Sequence, residues 1–340
     1  MNLLEALRYL AALDQHRHFG RAALACHITQ PALSNALRAL EAELGVALVR
    51  RSRQYEGLTT EGEVVLAHAH RLLHGSEALR QDLAGLAGAP RGRLQLGAVP
   101  SAMPVAAQFA ARLRARHPGI RPVLRALSSQ ALESGLESLA LDLALGYTGR
   151  PEVAARGLRV WPQYTERYFL LQRVPAKKKQ APALQVGPPL AWREVAGRAL
   201  VMLTPEMHHR TIVDQALREA GVELEPAMET DSVLALLQAV QESSAGDGAD
   251  TLAVVLPGAL VGVVREHSGL LARPLRAPEV QTPIGFMTGA GSQSGILAAA
   301  LVLAQDAEWQ AHMETHAGAL GHKQDRLVRP GTKARKTPLS

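Results

Sequence analysis

Three regimes of hydrophobic spacing point to a mainly α-helical N-terminal unit, one long helix, and a C-terminal α/β domain. Residues 1 to about 58 alternate helical periods with short turns, and residues about 59 to 88 keep one helical period unbroken. Beyond "GAPRGRLQLGAVPS", short apolar strand-like runs alternate with amphipathic helices, the mark of an α/β domain. Gly88, Pro90 and Gly92 punctuate that last boundary.

At 340 residues the chain has room for about two domains with a well-buried core. No apolar run is long enough to span a bilayer. The amphipathic N-terminus, with its acidic residues, does not read as a signal peptide. One cysteine, Cys26, excludes an intramolecular disulfide and an all-cysteine metal cluster. These points favour a cytoplasmic location. The net charge of +6 tempts one to name a nucleic-acid binder outright, but its distribution argues against haste. Six cationic residues against Asp325 put +5 in the tail after His322, leaving +1 for the rest. That tail is almost free of apolar residues and reads as disordered.

In the first regime, Leu3, Leu7, Leu10 and Leu13 share one helical face, with Asn2 as cap. A short helix follows at Arg21–Cys26, then a turn at "CHIT". A third helix starts near Gln30 with Pro31 in its first turn and ends at Gly45. Its Leu33, Leu37, Leu40 and Leu44 make a core stripe. Gln30, Ser34, Asn35, Arg38 and Glu41 stay outside it. Such a three-helix unit is a helix-turn-helix, whose second helix can enter the DNA major groove. Gln and Asn suit adenine edges there, Arg suits guanine or phosphate, and Ser is a flexible contact. The same polar face could also be simply solvated.

The stretch "FGRAALACHITQPALSNALRALEAELGVALVRRSRQYEGLTTEG" resembles the DNA-binding domain of LysR-type transcriptional regulators. The match lies in Ala22 and Ala23, Gln30-Pro31-Ala32-Leu33-Ser34, Leu40-Glu41, Leu44-Gly45-Val46, Leu48, Arg51 and Leu58-Thr59-x-x-Gly62. The resemblance implies a winged helix-turn-helix. It makes "VRRSRQYEGLT" a β-hairpin wing whose Arg50, Arg51 and Arg53 lie near phosphates. It also implies promoter DNA and RNA polymerase as partners, and dimers that associate into tetramers. The chain departs from the family at His18 and Val49, both expected in the small core of this domain. It departs again at Asn35, where Arg is frequent, which bears on base preference.

In the long helix, Thr60 and Glu63 have capping-box spacing. Val65, Ala69, Leu72, Ser76, Leu79, Leu83 and Leu86 follow at alternating spacings of four and three, a heptad seam. The seam must be buried, either within the chain or against a second copy. The resemblance implies a linker helix paired with its twin, which would set two reading heads on two half-sites. His70 and His74 lie one turn apart, but no third ligand accompanies them, so a hydrated face is favoured over a metal.

The remainder resembles the effector domain of the same family, two α/β lobes of periplasmic-binding-protein type (type 2) with a ligand cleft between them. Strands are expected at about Leu94–Val99, "RPVLRAL" and "LDLALG". Ligands of open α/β sheets sit outside the carboxyl ends of strands. Ser101 and Ala102 follow the first strand, Ser128 and Ser129 the second, and Thr204 and His208 a strand of the second lobe. Hydroxyls beside helix N-termini suit a carboxylate or other small anion, although each serine could equally be a cap. Asp142 is expected in a strand-end hydrogen bond and Asp231 as a helix cap. "QESSAGDGAD" reads as an insertion near the hinge that could reshape the cleft.

Cys26 is expected to be a buried structural thiol, and the two-cysteine peroxide sensing of one family branch cannot form within this chain. "GAGSQSG" lacks dinucleotide-loop spacing. No catalytic set stands out, so neither enzyme chemistry, cofactor nor metal is expected. The reading is a regulator with a winged helix-turn-helix at 1–59, a linker helix at 60–90, a two-lobed effector domain at 91–315 and a basic tail at 316–340. The alternative is a small-molecule binding protein or enzyme whose helical N-terminus only mediates assembly.

Overall fold

The computed structural model describes residues 2–51, 55–85, 90–175, 184–246, 251–267, 269–291 and 294–317. Helix α1 (Leu3–His16) is capped by Asn2, whose side chain accepts from the Glu5 amide. Helix α2 (Phe19–Ala25) begins two residues earlier than expected because His18 Nδ1 accepts from the amides of Gly20 (3.0 Å) and Arg21 (3.3 Å). His18 is exposed and acts as a cap, so its departure from the family pattern does not reach the core. Val49 does reach it. Thr29 caps α3 (Gln30–Leu44), Pro31 sits in its first turn, and Gly45 ends it at φ 71°.

Leu7, Leu10, Leu13, Leu33, Leu37 and Leu40 close the core of this unit, each fully buried aliphatic chain contributing about 1.5–3 kcal/mol. Leu3 and Leu44 do not join them. They are 42% and 43% exposed, and Ala6 takes the place expected of Leu3. Strands β1 (Val49–Arg51) and β2 (Tyr55–Leu58) form the antiparallel wing.

The long helix α4 (Thr60–Gly85) is capped by Thr59, not Thr60: Thr59 Oγ1 accepts from the Gly62 amide at 2.9 Å and donates to the Ala47 carbonyl at 2.6 Å. A Cβ at Gly62 would lie 2.1 Å from the Leu48 carbonyl oxygen, so glycine is what lets α4 start flush against the wing.

The first lobe comprises β3 (Gly92–Ala98), α5 (Met103–Arg116), β4 (Ile120–Ala126), α6 (Ser129–Glu137), β5 (Leu143–Tyr147), α7 (Pro151–Ala155) and β6 (Arg159–Glu166). The chain then crosses into the second lobe. This contains β7 (Tyr168–Arg173), β8 (Gln185–Val186), β9 (Leu190–Ala191), β10 (Ala199–Leu203), α8 (His208–Glu219), β11 (Met228–Thr230), α9 (Val233–Glu242), β12 (Leu252–Pro257), α10 (Gly258–Val261) and β13 (Leu270–Arg276). It returns through β14 (Thr282–Thr288) and closes with α11 (Gly295–Ala304) and α12 (Ala307–Ala317).

The first sheet runs β4-β3-β5-β14-β6 and the second β11-β10-β12-β7-β13-β8, with β9 on β13. The two crossings meet where Glu166 pairs in register with Thr282. Phe109, Phe286 and Trp309 stack in the first core, and Trp309 Nε1 donates to Gln163 Oε1 at 2.6 Å, tying α12 down.

Two further expectations are corrected. Ser232, not Asp231, caps α9, accepting from the Ala235 amide at 3.3 Å. In the "QESSAGDGAD" segment residues 247–250 lie outside the described residues, and the described part ends away from the hinge. The Gly246 amide and carbonyl bond to Arg173 and Gln172, at the end of β7 remote from the crossing.

Candidate nucleic-acid interface and interlobe cleft

On α3 the polar row predicted to read bases stays open. Gln30, Pro31, Asn35 and Arg38 are exposed and Ser34 is half-buried, while Leu33, Leu37 and Leu40 face inward. Gln30, Ser34 and Arg38 recur every four residues and so lie on one side. Arg38 Nη1 donates to Asn35 Oδ1 at 3.4 Å. Glu41 has another duty: its Oε1 accepts from the amides of Leu48 (2.9 Å) and Val49 (3.2 Å), which orients the wing. Arg50 is exposed on β1. Arg51 belongs to β1 with its side chain outside the described residues, and Arg53 lies outside them altogether. Cys26 is half-buried rather than buried. Burial pushes its thiol up, against the opposing pull of Arg8.

The expected seam divides. Ala69 is fully buried in the core of the N-terminal unit and Val65 packs against that core, so Ala69 is not a surface for a second chain. Leu72, Leu79 and Leu83 remain 50%, 61% and 60% exposed, Ser76 is half-buried, and Leu86 lies outside the described residues. On the same helix His74 Nδ1 meets Asp142 Oδ1 at 3.3 Å. Asp142 Oδ2 also accepts from the Gln95 amide at 2.6 Å, the strand-end bond expected of it.

Between the lobes lies a narrow cleft, lined among others by Ser101, Ser128, Ser129, Tyr147, His208 and His209. It brings together four of the six residues proposed from sequence. Ala102 is excluded: one residue past Ser101 it turns into the first-lobe core and is fully buried. Thr204 does not line the cleft either. Ser128 is also the cap of α6, accepting from the Ala131 amide. Ser101 Oγ lies 3.1 Å from Tyr147 OH. Ser129 Oγ is buried with no hydrogen-bond partner among the described residues.

His208 crosses the lobes: its Nδ1 is 3.0 Å from Arg150 Nη1, and its ring meets that of Tyr147 edge-on at 4.8 Å. Burial, and then Arg150, push His208 down to about 4; burial and His208 do the same to His209. Sequence reasoning missed Arg150, although it follows the carboxyl end of the third strand, in "GYTGRP", just as Ser101 and Ser128 follow the first two. At the crossing, Glu166 is fully buried and burial pushes its carboxyl up to about 8. Tyr164 OH donates to it at 3.4 Å.

Residues 4–63 match the family described as bacterial regulatory helix-turn-helix protein, lysR family, and residues 87–307 match the LysR substrate binding domain. The probable hydrogen peroxide-inducible genes activator of Mycobacterium avium is 32% identical over 293 residues, 84% of this chain and 87% of that protein. The SDS degradation transcriptional activation protein of a Pseudomonas species is 47% identical over 100 residues, 29% of this chain and 33% of that protein. The chain therefore matches about a third of the length of that relative.

Among solved structures, a full-length OxyR variant from Pseudomonas aeruginosa aligns with a TM-score of 0.60 at 23% identity, covering 90% of this chain and 97% of that one. Full-length CbnR complexed with its target DNA aligns at 0.59 and 19% identity, covering 89% and 98%. These likenesses concern the fold. An exposed polar helix beside a wing, in the part matched by the first description, and a two-lobed cleft domain, in the part matched by the second, place this chain in the LysR family of bacterial transcriptional regulators.

Proposed function

We propose that this protein is a sequence-specific DNA-binding transcriptional regulator, working in the cytoplasm, that pairs through α4 and responds to a small anionic effector held between its lobes. The observation that carries this is the open row of Gln30, Ser34 and Arg38 on a helix whose opposite side is the core. The N-terminal match to a helix-turn-helix family leaves the assembly-only alternative without support.

Gln30, Pro31, Ser34, Asn35 and Arg38 would face base edges, and Arg50, Arg51 and Arg53 the phosphates. Leu72, Leu79 and Leu83 would meet the second copy. In the cleft, Ser101, Ser128, Ser129 and His208 would hold the effector. Its binding would favour one arrangement of protomers, possible only if that arrangement binds it better. The shift would change the spacing of reading heads in a dimer or tetramer, hence DNA bend and contact with RNA polymerase. The peroxide response in some relatives' names is not carried over, because this chain has one cysteine.

A gel shift on the protein's own promoter region at two salt concentrations tests the reading. Binding should fall steeply with salt as counterions are released. Arg51→Ala should weaken binding to every sequence, and Asn35→Ala should change which sequence is preferred. Binding that neither substitution alters would overturn the assignment of the reading head.

A further inference from the structure

Arg150 stands where the first lobe meets the second. Its Nε donates to Glu133 Oε1 at 2.7 Å, its Nη2 lies 3.3 Å from Glu152 Oε2, and its Nη1 lies 3.0 Å from His208 Nδ1. Glu133 is 2% exposed, so the guanidinium is anchored from within its own lobe by a buried carboxylate and reaches across the gap only with Nη1. Arginine has five N–H donors and no acceptor, and it does not lose its proton in proteins. Nδ1 of His208 must therefore be the acceptor, unprotonated, and the ring's hydrogen must sit on Nε2.

The groups around the ring agree with a neutral imidazole. Arg150 faces it from the loop after β5, Tyr147 packs on it from the end of β5, and His209 adjoins it on α8. Glu152, on α7, pulls the other way but is half exposed. A ring held this way offers one defined N–H. His208 lines the cleft together with Ser129, whose buried hydroxyl has no partner among the described residues.

We propose that Arg150 is a specificity-determining residue of the cleft, one that acts through His208: by fixing the imidazole as an Nε2–H donor it selects an effector that presents a hydrogen-bond acceptor, such as a carboxylate. Glu133 orients Arg150 for this task. The inference rests on reading the cleft as the effector site, and it is tested separately from DNA binding.

The test uses the full chain labelled with 15N in its histidines. Two-bond 15N–1H spectra report which ring nitrogen carries the proton, and the His208→Gln variant assigns the resonance. An Nε2–H tautomer unchanged from pH 5.5 to pH 8 is expected. Arg150→Met should release the ring into a mixture of tautomers, and Arg150→Lys, which still donates, should restore the single tautomer.

Acetate, at ionic strength held constant with chloride, should move the His208 Nε2 resonance, whereas acetamide should do so less. An Nδ1–H tautomer in the native protein, or an Arg150→Met spectrum like the wild type with circular dichroism confirming the fold, overturns the positioning role. A correct tautomer that acetate does not touch overturns the effector class. A failed gel shift alongside the expected spectra overturns the regulator reading alone.

Discussion

Glu41 joins the reading helix to the wing through its carboxylate Oε1. The amides it binds are those of Leu48, just before β1, and of Val49, the first residue of β1. Hydrogen bonds to a charged group contribute more than neutral ones, so Glu41→Ala is expected to cost about 2–3 kcal/mol. Glu41→Gln, which keeps an acceptor, should cost visibly less. Chemical denaturation of the two variants measures the difference, and equal midpoints for all three proteins would remove the joint from the account. His18 makes the same point at the start of α2: an imidazole nitrogen serves where a hydroxyl would be the ordinary cap.

At the scale of elements, α4 has two unlike halves. Its start is pressed onto the wing at Gly62, where a methyl group would meet the Leu48 carbonyl oxygen at 2.1 Å. Gly62→Ala must push the helix off β1 and is expected to cost about 3 kcal/mol, the upper part of the usual overpacking range. A melting temperature equal to wild type would show that the contact yields freely. Further along, Leu72, Leu79 and Leu83 recur at heptad spacing and stay in solvent within one protomer. Leu79→Asp should leave each protomer folded but shift sedimentation from dimer to monomer at micromolar concentration. A variant that sediments like wild type would move the pairing surface elsewhere.

The whole molecule carries buried titratable groups at its hinge and in its second lobe, and they oppose one another with pH. The folded chain holds Glu166 protonated up to about 8, against an ordinary 4.5. Its stabilising contribution is complete below pH 4.5 and is lost as pH rises through about 8. His208 and His209 are pushed down to about 4 from 6.5, so theirs is complete above pH 6.5 and is lost as pH falls through about 4. Glu166→Gln, neutral at every pH, should melt above the wild type at pH 8, with the gap closing toward pH 4.5. Thermal melts across that range check it. Parallel curves would mean that Glu166 ionises as freely in the folded chain as in the unfolded one.

What the amino-acid order determined alone was local. The stripes of α1 and α3, the termini at Asn2 and Gly45, the heptad of α4 and the strand ends carrying Ser101, Ser128 and Ser129 depend on neighbours within about one turn or one strand, and spacing reveals such neighbours. Caps displaced by one residue, Thr59 for Thr60 and Ser232 for Asp231, mark the grain of that signal. The tertiary structure decided which parts of each face are already used. It sank Ala69 into the head, turned Ala102 away from the cleft, gave Glu41 to the wing, and carried Gly246 to the end of β7 away from the hinge. It also brought Arg150 to His208, 58 residues later in the chain. Such meetings depend on where two separately folded lobes come to rest against each other, and no periodicity within either one encodes that.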